Sequence, residues 1–189
     1  AELRNGVQVQ RLGLNRFQFS YRGKTSYANL NLPPGETYEA PYPPSFHEVP
    51  REELAVVHSG EGDGWDTHRQ SMSSVLVSRG RIYLLDAHPN ILNTLEALGV
   101  DISEVEGIFH THAHDDHCGG LGGVLAANSR LSVHVPASFP SRFSDLVASR
   151  GARCEIVRGE RTLLPGVHTT GEMGDGMREQ ALVVETDRG

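Results

Sequence analysis

The chain has 189 residues, 38% of them hydrophobic; this is enough for a domain with a real core, and no apolar run nears the ~20 residues that a membrane span needs. A formal net charge of −7 argues against an extended nucleic-acid face, although a metal ion can dominate the local field in a pocket. Two cysteines, Cys118 and Cys154, are too few for a disulfide framework, and a cytoplasmic location is the default.

Residues 6–20 begin and end with apolar/polar alternation. Val7 and Val9, then Phe17 and Phe19, fall on one face of a strand. Residues 32–50 hold Pro33, Pro34, Pro41, Pro43, Pro44 and Pro50. Proline fixes φ and removes a donor, so this stretch is predicted to be a surface arm, lid or linker. Residues 59–66, rich in glycine, read as a second flexible stretch. Trp65, Tyr38 and Tyr42 lie in such stretches as candidate pocket residues.

Regular structure is predicted from about Met72, which sets a division into an extension, 1–71, and a main domain, 72–189. Residues 75–78 and 81–86 flank Arg79-Gly80 as a β-hairpin. Pro89 is placed to open a helix whose apolar face is Ile91, Leu92, Leu95 and Leu98, ending at Gly99. Val105, Ile108 and Phe109 make a short strand. A helix is expected from Gly119 to about Ala127 and another over 141–150. Residues 131–135, 154–157, 162–170 and 180–186 read as strands. Such an order belongs to a layered α/β protein.

Four of the ten histidines fall between positions 110 and 117, in the run His110-Thr111-His112-Ala113-His114-Asp115-Asp116-His117. His112 and His114 are two apart, so in an extended segment both rings point to one side and can grip one ion. Asp116 and His117 follow where the chain can turn into a helix, which would aim a carboxylate and a third imidazole at a second ion. Neutral imidazole and carboxylate donors suit zinc, with iron or manganese possible, one or two ions in all. The glycines after His117 permit close backbone approach. An adventitious metal-binding loop is the rival reading of the same residues.

The motif His112-x-His114-x-Asp116-His117, with Thr111 before it and Gly119-Gly120-Leu121 after it, resembles the metal motif of the metallo-β-lactamase superfamily. Leu84-Leu85-Asp86 is similar to that family's strand ending in an aspartate beneath the metals. The resemblance covers roughly residues 72–189 and implies an α/β fold, the αββα sandwich, of which this chain would be the N-terminal half with an added proline-rich segment. It implies His112 and His114 on the first metal and Asp116 and His117 on the second. A narrower likeness joins residues 170–172 and 179–186 to a subgroup of metal-dependent hydrolases that includes dihydropterin/ribofuranosylaminobenzene phosphate synthases, in which a further ligand-bearing segment follows.

The function expected from this likeness is hydrolysis of an ester, lactone, amide or phosphoester in a small-molecule substrate by metal-activated water, with Asp116 as the catalytic carboxylate. The family's remaining ligands are expected from a C-terminal half or a second chain. His168 and Glu172 are weak ligand candidates within this one. Cys118 is expected to be a packed helix-start residue rather than a nucleophile, and His110 to support the motif or face solvent. Two other readings use the same residues. One is iron-dependent oxidoreduction on this fold, against which His114 argues because the electron-transfer relatives carry a glutamate there. The other is a metal-stabilised binding subunit whose functional feature is the 32–50 arm.

Overall fold

A computed structural model describes residues 1–3, 5–13, 16–31, 33–34, 45–64, 66, 69–175 and 178–186. Most of the proline-rich arm, and Trp65, Tyr38 and Tyr42, therefore lie outside the described residues. The chain divides into two compact units, residues 1–37 and 38–189.

The first unit is a three-stranded antiparallel meander of β1 (Gln8–Gly13), β2 (Arg16–Tyr21) and β3 (Lys24–Asn29). Val9, Phe17 and Phe19 share a face, because Val9 pairs with Phe19 and Arg11 with Phe17. The alternation over 6–20 thus belongs to two strands rather than one. β3 is too polar (KTSYAN) to have announced itself.

The second unit is built on a six-stranded sheet. β4 (Leu54–Ser59), β5 (Ser73–Ser78) and β6 (Arg81–Leu85) run antiparallel, and β7 (Val105–Phe109), β8 (Ser132–Pro136) and β9 (Arg153–Val157) continue from β6 in parallel. β4, a strand the sequence reading does not predict, lies in the stretch assigned to the N-terminal extension but belongs with the main sheet, and the division falls near residue 37 rather than 71. Arg79 and Gly80 both have positive φ, the conformation a two-residue hairpin turn needs.

The parallel strands are joined by helices. α1 (Ile91–Ala97) starts after Asn90, so Pro89 stands just outside it. A 3₁₀ turn, Ile102–Glu104, has a reciprocal capping box between Asp101 and Glu104. α2 (Asp115–Cys118), α3 (Leu121–Ala127) and α4 (Ser141–Ser149) follow. Helix geometry begins at Asp115, four residues earlier than the glycines suggest.

Strand periodicity sorts the core into two layers. Val75, Val77, Ile82, Leu84, Ile108, Val133 and Val135 pack with Ile91, Leu95, Leu121, Leu125 and Val147 of the helices. The alternate residues Leu76, Tyr83 and Phe109 face the other way, toward Val167 and the flanking Leu164, Leu182 and Val184. Those last residues come from a second, three-stranded sheet of β10 (Arg161–Leu164), β11 (Val167–Thr169) and β12 (Leu182–Val184). The run 162–170, read as one strand, is broken at Pro165-Gly166 into a hairpin. Burying each large apolar side chain contributes about 1.5–3 kcal/mol. The result is helix layer, sheet, sheet: three of the four layers of an αββα sandwich. No described helix is long and apolar enough to cross a membrane.

Candidate metal centre

β7 ends at Phe109, and the chain leaves the sheet as an extended segment before α2 begins at Asp115. This puts the histidine motif at the C-terminal edge of the parallel strands, where open α/β sheets place their sites. His112 Nε2 stands 2.9 Å from His114 Nδ1. His117 Nε2 stands 3.4 Å from the Asp116 carboxylate. Two donors about 2.0–2.1 Å from one tetrahedral ion lie about 3.3 Å apart, so each pair has a spacing that one ion can bridge. The His112 and His117 rings lie 4.1 Å apart between centroids, which brings the pairs side by side. Among the described residues no group of three or more such side chains is arranged to hold an ion. The donors come as two pairs.

The pairs are oriented from beneath by Asp86. Its side chain is 7% exposed and its backbone is left-handed, φ 63°, a conformation Asp tolerates better than most residues. The carboxylate accepts from Thr111 N and Thr111 Oγ1, both at 2.8 Å, and from His117 Nδ1 at 2.7 Å. His110 Nδ1 stands 3.5 Å from its other oxygen. Burial alone would raise the Asp86 carboxyl, but the interactions with His110 and His117 outweigh it and hold it far below the usual carboxylate range.

This network sets the tautomers. Thr111 gives its hydroxyl proton to Asp86, so at 3.0 Å from His112 Nδ1 it accepts the ring's N–H. His112 Nε2 is then the bare lone pair, turned toward His114. His117 spends its Nδ1–H on Asp86, which leaves Nε2 as the lone pair beside Asp116. Burial, then the charges of His117 and His114, push the His112 pKa down to about 4, so the ring is a neutral donor at pH 7. For His117, burial is outweighed by the hydrogen bond and charge of Asp86, and its pKa is raised.

Two neighbouring stretches close around the motif. Gly64, φ 80°, sits so close to Asp116 that a methyl group there would lie 2.4 Å from its carboxylate oxygen. The loop carrying Gly64 is held by Glu61 N and Gly62 N, which both donate to Gln70 O. From the other sheet, Gln180 donates to His110 O at 2.7 Å, takes a bond from Thr169, and donates its backbone N–H to Thr111 O. At the start of α3, Gly120 N donates to Ala87 O while Ala87 N donates to His117 O. These ties draw residues from β6, β7, the 59–71 loop and the β11–β12 loop onto one edge.

The profile of the metallo-beta-lactamase superfamily matches residues 66–176, more than half of the chain. The chain belongs to the metallo-beta-lactamase superfamily.

Ribonuclease Z of Listeria monocytogenes is 26% identical over 124 residues, covering 60% of this chain and 40% of that protein. Ribonuclease Z of Mycobacterium avium is 33% identical over 89 residues, 44% of this chain and 32% of that protein. The crystal structure of human tRNase Z, short form, superposes with a TM-score of 0.55 at 16% identity, covering 70% of this chain and 64% of that one. The chain thus spans about two fifths of the length of the Listeria relative it matches. Membership in the superfamily accounts for the layer order and for the motif's place at the edge of the main sheet.

The weaker candidates lie elsewhere in this metallo-beta-lactamase fold. His168 is on β11, paired with Thr162 at 3.0 Å and with Glu185 at 3.2 Å. Glu172 accepts from Ser138 N and stands 3.7 Å from Arg178, not with the histidines. Cys118 is buried in the helix-side core, and burial pushes its thiol far up, the opposite of a nucleophile. His110 is fully buried, with its ring on Phe139, which rules out the solvent-facing alternative. Sequence reading did not single out Gly64 or the tie made by Gln180. Gln180 lies within the quoted 179–186 stretch, but its partner His110 is 70 residues away.

Proposed function

We propose that this chain carries the metal-binding half of a hydrolase acting on a phosphoester. The observation that carries the reading is the pairing of donors, His112 Nε2 with His114 Nδ1 and Asp116 with His117 Nε2. Imidazole nitrogen and carboxylate oxygen suit zinc best, with iron or manganese as the alternatives. A divalent ion held there supplies Lewis acidity, lowering the pKa of water from 15.7 toward about 7.

The chain's own residues do the rest. His112 and His117 present fixed lone pairs because Thr111 and Asp86 take their other ring protons. Asp116, itself a member of the second pair, orients the attacking water and carries its proton to the leaving group. Gly64 leaves room for that carboxylate. Because each pair offers two donors, and a catalytic zinc takes about three protein ligands, the remaining donors come from a C-terminal half or a second chain. The relatives named ribonuclease Z support a phosphoester over a lactone or amide, since a ribonuclease acts on phosphodiesters. The net charge of −7 favours a small substrate over an extended nucleic-acid face.

The test combines metal content and turnover in the full protein. Zinc is expected to bind, and bis(p-nitrophenyl) phosphate to be hydrolysed faster than a neutral lactone or ester. Hydrolysis by metal-free protein, or oxygen consumption with an iron-loaded one, would overturn the reading.

A further inference from the structure

We propose that a cleft two strands along from the histidine motif binds a second phosphoryl group of the substrate. The proposal rests on the phosphoester reading and names what else that substrate must carry. The cleft, about 420 Å³, is lined by Ala137, Arg158, Gly159, Glu172, Gly174 and Arg178. Ala137 follows β8 and Arg158 follows β9, so the cleft opens at the same C-terminal edge that β7 gives to His112 and His114. Adjacent strands are about 4.8 Å apart, which sets β9 roughly 10 Å from β7. That is within the span of one small phosphorylated molecule.

The charges select an anion. Arg158 has no hydrogen-bond or ion-pair partner among the described residues and is exposed at the cleft wall. Arg178 reaches Glu172 at 3.7 Å. Glu172 is the acid in the lining, and its carboxylate is already taken by Ser138 N; burial is outweighed by Ser138 and Arg178, which hold it below the usual range. Two guanidinium groups against one engaged carboxylate leave the cleft positive. Guanidinium forks match the oxygens of a phosphoryl group. The wall is also fixed in place: Gly171 packs so tightly on Gly159 that a methyl group on Gly171 would lie 2.5 Å from the Gly159 Cα. Arg158 therefore projects from a pinned loop.

The experiment is a titration of the ¹⁵N-labelled chain with inorganic phosphate in EDTA, followed by amide and arginine side-chain shifts. Saturable shifts are expected at Gly159, Gly174 and Arg158 Nε. Arg158→Gln and Arg178→Gln should each weaken the apparent affinity about tenfold, as loss of a charged hydrogen bond implies, with the rest of the spectrum unchanged to show a native fold. His112→Ala should leave the titration as it was. Shifts confined to residues 110–118, no saturable shift, or an equal response to acetate would overturn the proposal. Phosphate bound at Arg158 in a protein that cleaves no phosphoester would keep the cleft and remove the hydrolase reading, so the two failures are distinguishable.

Discussion

His117 Nδ1 donates to the Asp86 carboxylate across 2.7 Å, although 31 residues separate the two in the chain. The bond joins the end of β6 to the first turn of α2 and decides which nitrogen of His117 is left for a metal. Asp86→Asn keeps the side-chain shape and tolerates the left-handed backbone, but it replaces one acceptor oxygen by a donor. Outer partners of metal-binding histidines typically account for about 10–100-fold in affinity. The variant is expected to bind zinc weaker by that range, measured by competition with a chromophoric chelator. Wild-type affinity would show that Asp86 does not orient the donors.

Gly64 and Asp116 make a second testable contact. Gly64→Ala puts a methyl group against the carboxylate at a backbone angle that L-residues rarely adopt. Either the loop or Asp116 must move. Phosphodiesterase turnover of the full protein is expected to fall at least about tenfold, the scale of a displaced catalytic group, while the strained backbone lowers the thermal midpoint by only a few degrees. A drop in stability with turnover intact would place Gly64 in folding alone.

The metal-free chain should lose stability in mild acid through His88. The ring is fully buried, with Nε2 on Thr94 Oγ1 and Nδ1 accepting from Asn90 N. Burial first, then the charge of His117, lower its pKa from 6.5 to about 4. Below pH 6.5 the unfolded chain takes up a proton that the folded chain refuses until about pH 4. The stabilisation is therefore whole above pH 6.5 and is lost as pH falls from 6.5 to 4, by about 3 kcal/mol over that window. Urea unfolding at pH 7 and pH 5 should show a smaller drop in His88→Gln than in the wild type. Equal drops would assign the acid sensitivity to other groups.

The cysteines should differ in reactivity. Cys154 is half-buried on β9, whereas Cys118 is 2% exposed in the core. A thiol reagent at pH 8 is expected to modify Cys154 in the native protein and Cys118 only in denaturant, read by mass spectrometry of the digested chain. Native labelling of Cys118 would contradict its packed position.

Where short-range pattern decides structure, the elements were legible. The β5–β6 hairpin has its turn at Arg79-Gly80, Ile91, Leu95 and Leu98 of the predicted α1 face are buried while Leu92, counted with them, is exposed, and β7 delivers the motif to the sheet edge. β3 and β4 were missed because an edge or lone strand needs no strong alternation: Val56 is exposed and Ala55 only half-covered. The 162–170 run reads as one strand on its apolar residues, yet Pro165-Gly166 within it is the turn of a hairpin. The candidate donors could be named from their spacing and from the resemblance. Of what supports them, Asp86 was legible through the resemblance, but its bond to His117 and the bond of Gln180 to His110 were not, because both are contacts made across the fold.

The central claim concerns which ring nitrogens face the ions. Titrating zinc into the ¹⁵N-histidine-labelled chain and following the imidazole nitrogens tests it directly. The expected result is a shift of His112 Nε2, His114 Nδ1 and His117 Nε2 to metal-bound values, while His88, His134 and His168 stay unmoved. Shifts at the ring of His168, or none among the three motif histidines, would contradict the account.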